Sequence, residues 1–211
     1  MERLGDRNRH VRDAAVRALG RIGSAEALPS LAALYADPGR RVSPGFVYEA
    51  LVAVGGAEPV FVDGLRSPDE RVRVVSCFGV ARVLSADGAR SALEPMLVDP
   101  AAPVRAAACL SLGRVGSGQV PPALAEAVHD AEPNVRREAA AALGAFDDPG
   151  TVGVLLEALE DPDREVALRA GESLVRLSRL PNAHAAAEAS ISGSESWPLQ
   201  TAAALASVGA V

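Results

Sequence analysis

Few residues in this sequence could do chemistry, and their spacing excludes most of it. His10, His129 and His184 stand far apart, and none is followed by Glu. A metallopeptidase-type helix needs two His four residues apart with a Glu beside the first, so that both imidazoles face one ion. That pattern is missing, and neither metal nor any other cofactor is expected. Cys77 and Cys109 are too few for a disulfide framework, and each reads as a small core residue. The stretch GSGQVPP at 116–122 reads as a turn between helices, not a phosphate loop, and ISGSES at 191–196 reads as a connector. No Ser is placed beside a recognisable base. The group that does recur is the guanidinium. Arg12, Arg73, Arg105 and Arg136 occupy one position of a repeated pattern. Such a column could act as a ladder for anions.

The pattern that places these arginines is a helix that recurs along the chain. Take Val11, Ser43, Val72, Val104, Val135, Val166 and Trp197 as anchors; the gaps between them are 32, 29, 32, 31, 31 and 31 residues. Eight residues on stand Leu19, Leu51, Val80, Leu112, Leu143, Leu174 and Leu205, and eleven on stand Ile22, Val54, Val83, Val115, Phe146, Leu177 and Val208. Offsets of 0, 8 and 11 share one face of an α-helix, with 4 and 7 beside them, so this helix A is expected to bury a stripe. At offset 7 every residue is small (Ala18, Ala50, Gly79, Ser111, Ala142, Ser173, Ala204), which lets a neighbouring helix come close. A weaker helix B follows in each unit, as in Ala25–Tyr35 and Thr151–Leu159. Asp37-Pro38, Ser67-Pro68, Asp99-Pro100 and Asp161-Pro162 precede helix A, where Asp or Ser is expected to cap and Pro to open it. Gly23, Gly55 and Gly116 close it, where a left-handed residue is easiest for Gly. A lone hairpin leaves its apolar face bare, whereas stacked hairpins cover one another.

Composition agrees with such a stack. The chain has 211 residues, 49% of them apolar but only 3% aromatic. Ala, Leu and Val suit close helix packing and leave few large side chains to line a ligand cavity. The net charge of −6 disfavours nucleic acid, whose non-specific affinity rests on basic charge. The charged N-terminus shows no signal peptide, and no apolar run approaches the roughly 18 residues of a membrane span. A cytoplasmic protein without membrane insertion is expected.

The pattern D-P-x-x-x-V-R-x-x-A-x-x-A-L-G-x-I-G resembles the HEAT-like repeats, especially the short class found in phycobilisome lyases. Asp99, Pro100, Val104, Arg105, Ala108, Leu112, Gly113, Val115 and Gly116 carry it, as do Val11, Arg12, Ala15, Leu19, Gly20, Ile22 and Gly23. The resemblance implies an all-α solenoid: a right-handed superhelix of about six to seven two-helix repeats, one array over residues 1–211. Units of about 31 residues are too short for the third helix of an armadillo repeat. The resemblance also implies that Arg12, Arg73, Arg105 and Arg136 form a structural ladder, each pairing with Asp or carbonyl groups of adjacent loops. Three units depart from the pattern. RRVSPGFVYEA, in which Ser43 is placed to cap a helix from Pro44, opens the second; Ala167 replaces Arg in the sixth; Trp197-Pro198 opens the last.

Such arrays mostly serve as binding scaffolds. The helix B segments carry Glu26, Glu58, Asp63, Glu94, Glu126, Glu157, Glu160 and Glu188 with few arginines. In HEAT-like stacks helix B lines the concave side, so an acidic groove for a basic peptide or protein is expected, against the plainer reading of a solvated face. Tyr35, Phe46, Tyr48 and Phe61 gather in the irregular second unit, either as binding anchors or as filling where a repeat is distorted. A DNA-acting protein like the HEAT-like alkylpurine glycosylases would need a basic groove, and a bilin lyase subunit is a narrower reading than the repeat supports. The HEAT-like di-iron hydroxylases use His-Glu pairs, which are missing here. Residues 2–9 resemble the close of a further helix B, and Leu199–Val208 has no charged residue. These ends suggest a longer array, or an end covered by a partner or a second copy.

Overall fold

In the computed structural model, residues 2–37, 42–116 and 118–178 are described. They form eleven α-helices and no strand, alternating long and short as an α-solenoid of two-helix repeats. The long helices are α1 (Arg9–Ile22), α3 (Pro44–Val54), α5 (Glu70–Val83), α7 (Ala102–Val115), α9 (Pro133–Leu143) and α11 (Arg164–Leu177). The short ones are α2 (Leu28–Tyr35), α4 (Glu58–Gly64), α6 (Ala86–Leu93), α8 (Pro122–Glu126) and α10 (Val152–Ala158). Among the described residues, Val11, Val72, Val104, Val135 and Val166 are each the third residue of their helix, and Ser43 stands one residue before α3. The seventh helix A, with Trp197, and Glu188 and His184 lie outside the described residues.

The chain divides into two compact units, one up to Ala92 and one from Leu93. In the first, α1 packs on α3 and α4 packs on α5, around Val16, Leu31, Val47, Leu51, Phe61 and Val80, all buried. In the second, α9 lies between α7 and α11, and its core includes Val104, Leu112, Leu124, Leu143, Phe146 and Leu155.

The small column has a specific counterpart. In three junctions a Gly at offset 9 meets the offset-7 residue of the next helix A. A Cβ on Gly20 would stand 2.9 Å from the Ala50 Cα, one on Gly113 2.9 Å from the Ala142 Cα, and one on Gly144 2.8 Å from the Ser173 Cα. Backbone cannot yield as a flexible side chain can, so the Leu-Gly pair of the repeat sets the helix separation. The Ser173 hydroxyl then donates to the Ala140 carbonyl at 2.8 Å, fastening α11 to α9. Ser111 holds the same offset, and its hydroxyl is buried without a partner among the described residues.

Other expectations change. Asp99, Asp161 and Ser67 do not cap helix A. Each accepts the N–H two residues on, from Ala101, Asp163 and Asp69, and so makes a side-chain turn ahead of the helix. Asn8, Asp69 and Asp163 hold the cap itself. Ser43 stands at the cap of α3 but does not bond its N–H groups; its hydroxyl donates to Asp13 at 3.2 Å and accepts from Arg9. Gly23 ends α1 in the left-handed conformation as expected, with φ 68°. Gly55 also has positive φ, at 76°, whereas Gly116 has φ −56°; there a Cβ would crowd the Phe146 ring at 3.0 Å, so room rather than handedness selects Gly. Ile22 falls outside the buried stripe and is 70% exposed.

Candidate functional site

The arginine column is built from a loop position five residues before each anchor. Asp6, Ser67, Asp99, Asp130 and Asp161 all sit there, and each side chain accepts the N–H two residues later. That turn points successive carbonyls at the arginine one residue after the anchor. Arg12 donates to the carbonyls of Asp6 and Arg7, Arg73 to those of Ser67 and Pro68, Arg105 to those of Asp99 and Pro100, and Arg136 to those of Asp130 and Ala131.

Arg105 and Arg136 also reach the next loop. Arg105 grips Asp130 with Nε and Nη2 at 2.7 and 2.8 Å, and Arg136 grips Asp161 at 2.7 and 3.0 Å. Each side chain of these pairs is no more than 16% exposed. The forked geometry suits guanidinium and carboxylate, and it holds both carboxyls below the usual carboxylate range, chiefly through the arginine hydrogen bonds. The same contacts raise both arginines. These donors are spent on loops, which leaves the Arg105 and Arg136 forks no free edge for an anion. A spacing of 25 residues from Arg to Asp is the mark these pairs leave in the sequence.

The carboxylates of the helix-B segments are more open. Asp63, Glu126 and Glu157 are exposed, and each stands nine residues before an anchor, so they are equivalent positions of three repeats. Glu126 and Glu157 belong to one unit. His129, one turn after Glu126, places its Nε2 3.8 Å from Glu157, which puts the two positions on a common face. Asp63 stands 4.0 Å from Arg66 on the exposed end of α4. Glu26 is exposed on the turn before α2, whereas Glu58 and Glu94 are half-buried. The equivalence does not extend to Glu26, Glu58 and Glu94, which hold other positions in their repeats.

Of the aromatic residues of the second repeat, Tyr35 and Phe61 fill the core, while Phe46 and Tyr48 are half-buried. Tyr35 is 8% exposed, and its hydroxyl bonds the Val72 carbonyl at 3.1 Å and the Ser76 hydroxyl at 2.8 Å. Burial pushes its pKa up. Its ring meets Phe61 edge-on, with centroids 5.6 Å apart, and the half-buried Tyr48 meets Phe61 at 5.8 Å. Phe61 occupies the space a Cβ on Gly79 would need. Tyr35 therefore has no ring face to offer a partner, and Tyr48 has little.

Cys77 and Cys109 are both buried and unbridged. Burial first, then the charges of Asp130 and Glu138, push the Cys109 thiol up to about 12, far from a reactive thiolate at neutral pH. Among the described residues no group of three or more His, Cys, Asp or Glu is placed to hold a metal, and no helix is long and apolar enough to cross a membrane.

The family described as HEAT repeats matches residues 1–43, 58–132 and 120–207. The break between the first two spans all of α3, the helix that departs from the pattern. Among solved structures, an engineered protein superposes with a TM-score of 0.61 at 21% identity, over 99% of this chain and 66% of its own. This chain thus spans just under two thirds of that protein. A second engineered protein gives 0.58 at 21% identity, over 99% and 93%. A designed armadillo repeat protein gives 0.55 at 18%, over 99% and 97%. At these identities the likeness is one of fold. Comparison with curated proteins gives no match.

Proposed function

The chain belongs to the HEAT-repeat family, and from that premise we propose that it is a non-catalytic scaffold whose helix-B carboxylates bind a basic peptide or protein segment. The fold is typically one of protein-interaction scaffolds. The observation that carries the finer reading is the repetition of an exposed carboxylate at one position: Glu126 and Glu157 in one unit, Asp63 at the matching place in its own repeat. Exposed carboxylates 31 residues apart recur at the helix-stacking interval of roughly 8–10 Å, a spacing that side chains of an extended partner can match. Such a surface confers specificity and fast association more than raw affinity.

The test is charge reversal. A fluorescein-labelled peptide of alternating Arg and Ala should bind the full chain and weaken as salt rises. Glu126→Lys/Glu157→Lys should lower its affinity by about tenfold or more, a loss of about 1.4 kcal/mol. Unchanged affinity in that variant would remove the helix-B face as the binding surface. Tight binding of duplex DNA at physiological salt, surviving the same reversal, would favour a nucleic-acid role instead.

A further inference from the structure

A second surface lies on the helix-A side of the first unit. Here α1 and α3 leave an open groove of about 520 Å³, with Gly20 and Ala50 on its floor and Arg17, Arg21, Phe46 and Glu49 along its walls. The floor is small because the two helices touch through the Gly20–Ala50 contact. Arg17 and Arg21 are exposed, one helical turn apart, and neither is ion-paired among the described residues. The Arg17 guanidinium lies over the Phe46 ring at 4.8 Å from its centroid.

That stacking has a chemical consequence. A guanidinium whose carbon lies over a ring can keep N–H groups free at its edge, and that edge grips a carboxylate with two hydrogen bonds. The ring also fixes rotamers that an isolated arginine would have to surrender on binding. Arg21 adds a second cation about 6 Å along the helix. Local charge points the same way. Residues 1–23 hold six arginines against three carboxylates, in a chain whose net charge is −6. Of those three carboxylates, Asp6 is taken up by Arg3, and Asp13 by Arg9 and Ser43.

We infer that this groove binds an acidic peptide segment of a protein partner, in extended form, with carboxylates on alternate residues. Alternate residues of a strand stand about 6.7 Å apart on one side, close to the separation of the two arginines. One carboxylate seats on the Arg17–Phe46 stack and the other on Arg21. A flanking aliphatic side chain covers the Gly20–Ala50 floor. Glu49 opposes this ligand and rejects peptides that crowd it with further negative charge.

The probe is a fluorescein-labelled peptide, Gly-Leu-Glu-Ala-Glu-Leu-Gly, titrated with the full chain by fluorescence anisotropy. Binding should weaken about tenfold or more in Arg17→Glu/Arg21→Glu, and severalfold when both Glu of the probe become Gln. Glu49→Gln should tighten it severalfold. All three substituted residues are exposed, so the variants should keep the wild-type helical spectrum and melting temperature; Phe46→Leu, which keeps apolar bulk but removes the ring, supplies an independent weakening. No binding at about 1 mM chain, equal binding of the Gln peptide, or affinity unchanged by the double reversal each overturns the inference. So does a concentration-dependent dimer that the double reversal abolishes, since the occupant would then be a second copy. None of these results bears on Glu126 or Glu157, so this surface and the helix-B face stand or fall separately.

Discussion

At the scale of single residues, Asp130 and Asp161, each five positions before an anchor, do two jobs with one side chain. Asp130 and Asp161 each fold their own loop and clasp the arginine of the preceding repeat. The two jobs can be separated, because Asn keeps an oxygen for the loop turn and drops the charge. Asp161→Asn should therefore destabilise the chain by about 1–2 kcal/mol at pH 7, leaving Arg136 its two carbonyls. The pH dependence has a definite sign. The carboxyl is held low in the folded chain, so its contribution is complete above the unfolded value of about 3.9 and fades as pH falls through the folded value. Urea unfolding at a series of pH values should show a constant gap between wild type and variant above about pH 5, closing below about pH 4. A gap that stays level down to pH 3 would mean that the carboxylate charge contributes nothing.

At the scale of helices, glycine decides how closely neighbours stack, and the same substitution should act in opposite directions at two sites. Ala is the better helix former by about 1 kcal/mol. At Gly171, in the middle of α11, a Cβ meets only the Leu159 side chain at 3.7 Å, ordinary contact. Gly171→Ala should raise stability by about 0.5–1 kcal/mol. At Gly113 the Cβ would press on the Ala142 backbone, and moving a packed helix costs about 1–3 kcal/mol, more than the propensity gain. Gly113→Ala should lower the thermal midpoint while Gly171→Ala raises it; a rise in both would show that α7 and α9 slide apart freely. This contrast also marks what the sequence could and could not tell. The period, the helix A register and the small column at offset 7 were legible, because burial along one helix face is written as spacing. The reason for Gly113 was not, since it depends on which residue of the next repeat arrives opposite. Nor does the sequence tell why Gly stands at 116, because a helix-ending Gly and a Gly beside an aromatic ring look alike in sequence. The sequence leaves Tyr35 open between binding anchor and filling, and makes the Asp of Asp-Pro a helix cap; only the positions of the partner atoms decide between such roles. The equivalence of Asp63, Glu126 and Glu157 was implicit in the period but hidden by the unequal lengths of the helix B segments.

At the scale of the molecule, the repeats exchange stability mainly with their neighbours, as stacked hairpins must. Helix α9 touches both α7 and α11, and Leu143 is fully buried in that contact region. Truncating it to Ala should cost about 2–5 kcal/mol, the spread reflecting how far the site collapses. In a globule with a single core that loss would be shared by every helix that opens only on global unfolding. In a chain of nearest-neighbour contacts it should be graded. Native-state hydrogen exchange on Leu143→Ala should therefore speed up most in α9, nearly as much in α7 and α11, and far less in α1, eight α-helices away along the chain. The comparison is internal to one sample, so it does not depend on absolute stability. An increase in α1 equal to that in α9 would make the whole chain one cooperative body. The two binding faces proposed here, one in each charge environment, would then be coupled through folding itself and not independent sites on a modular array.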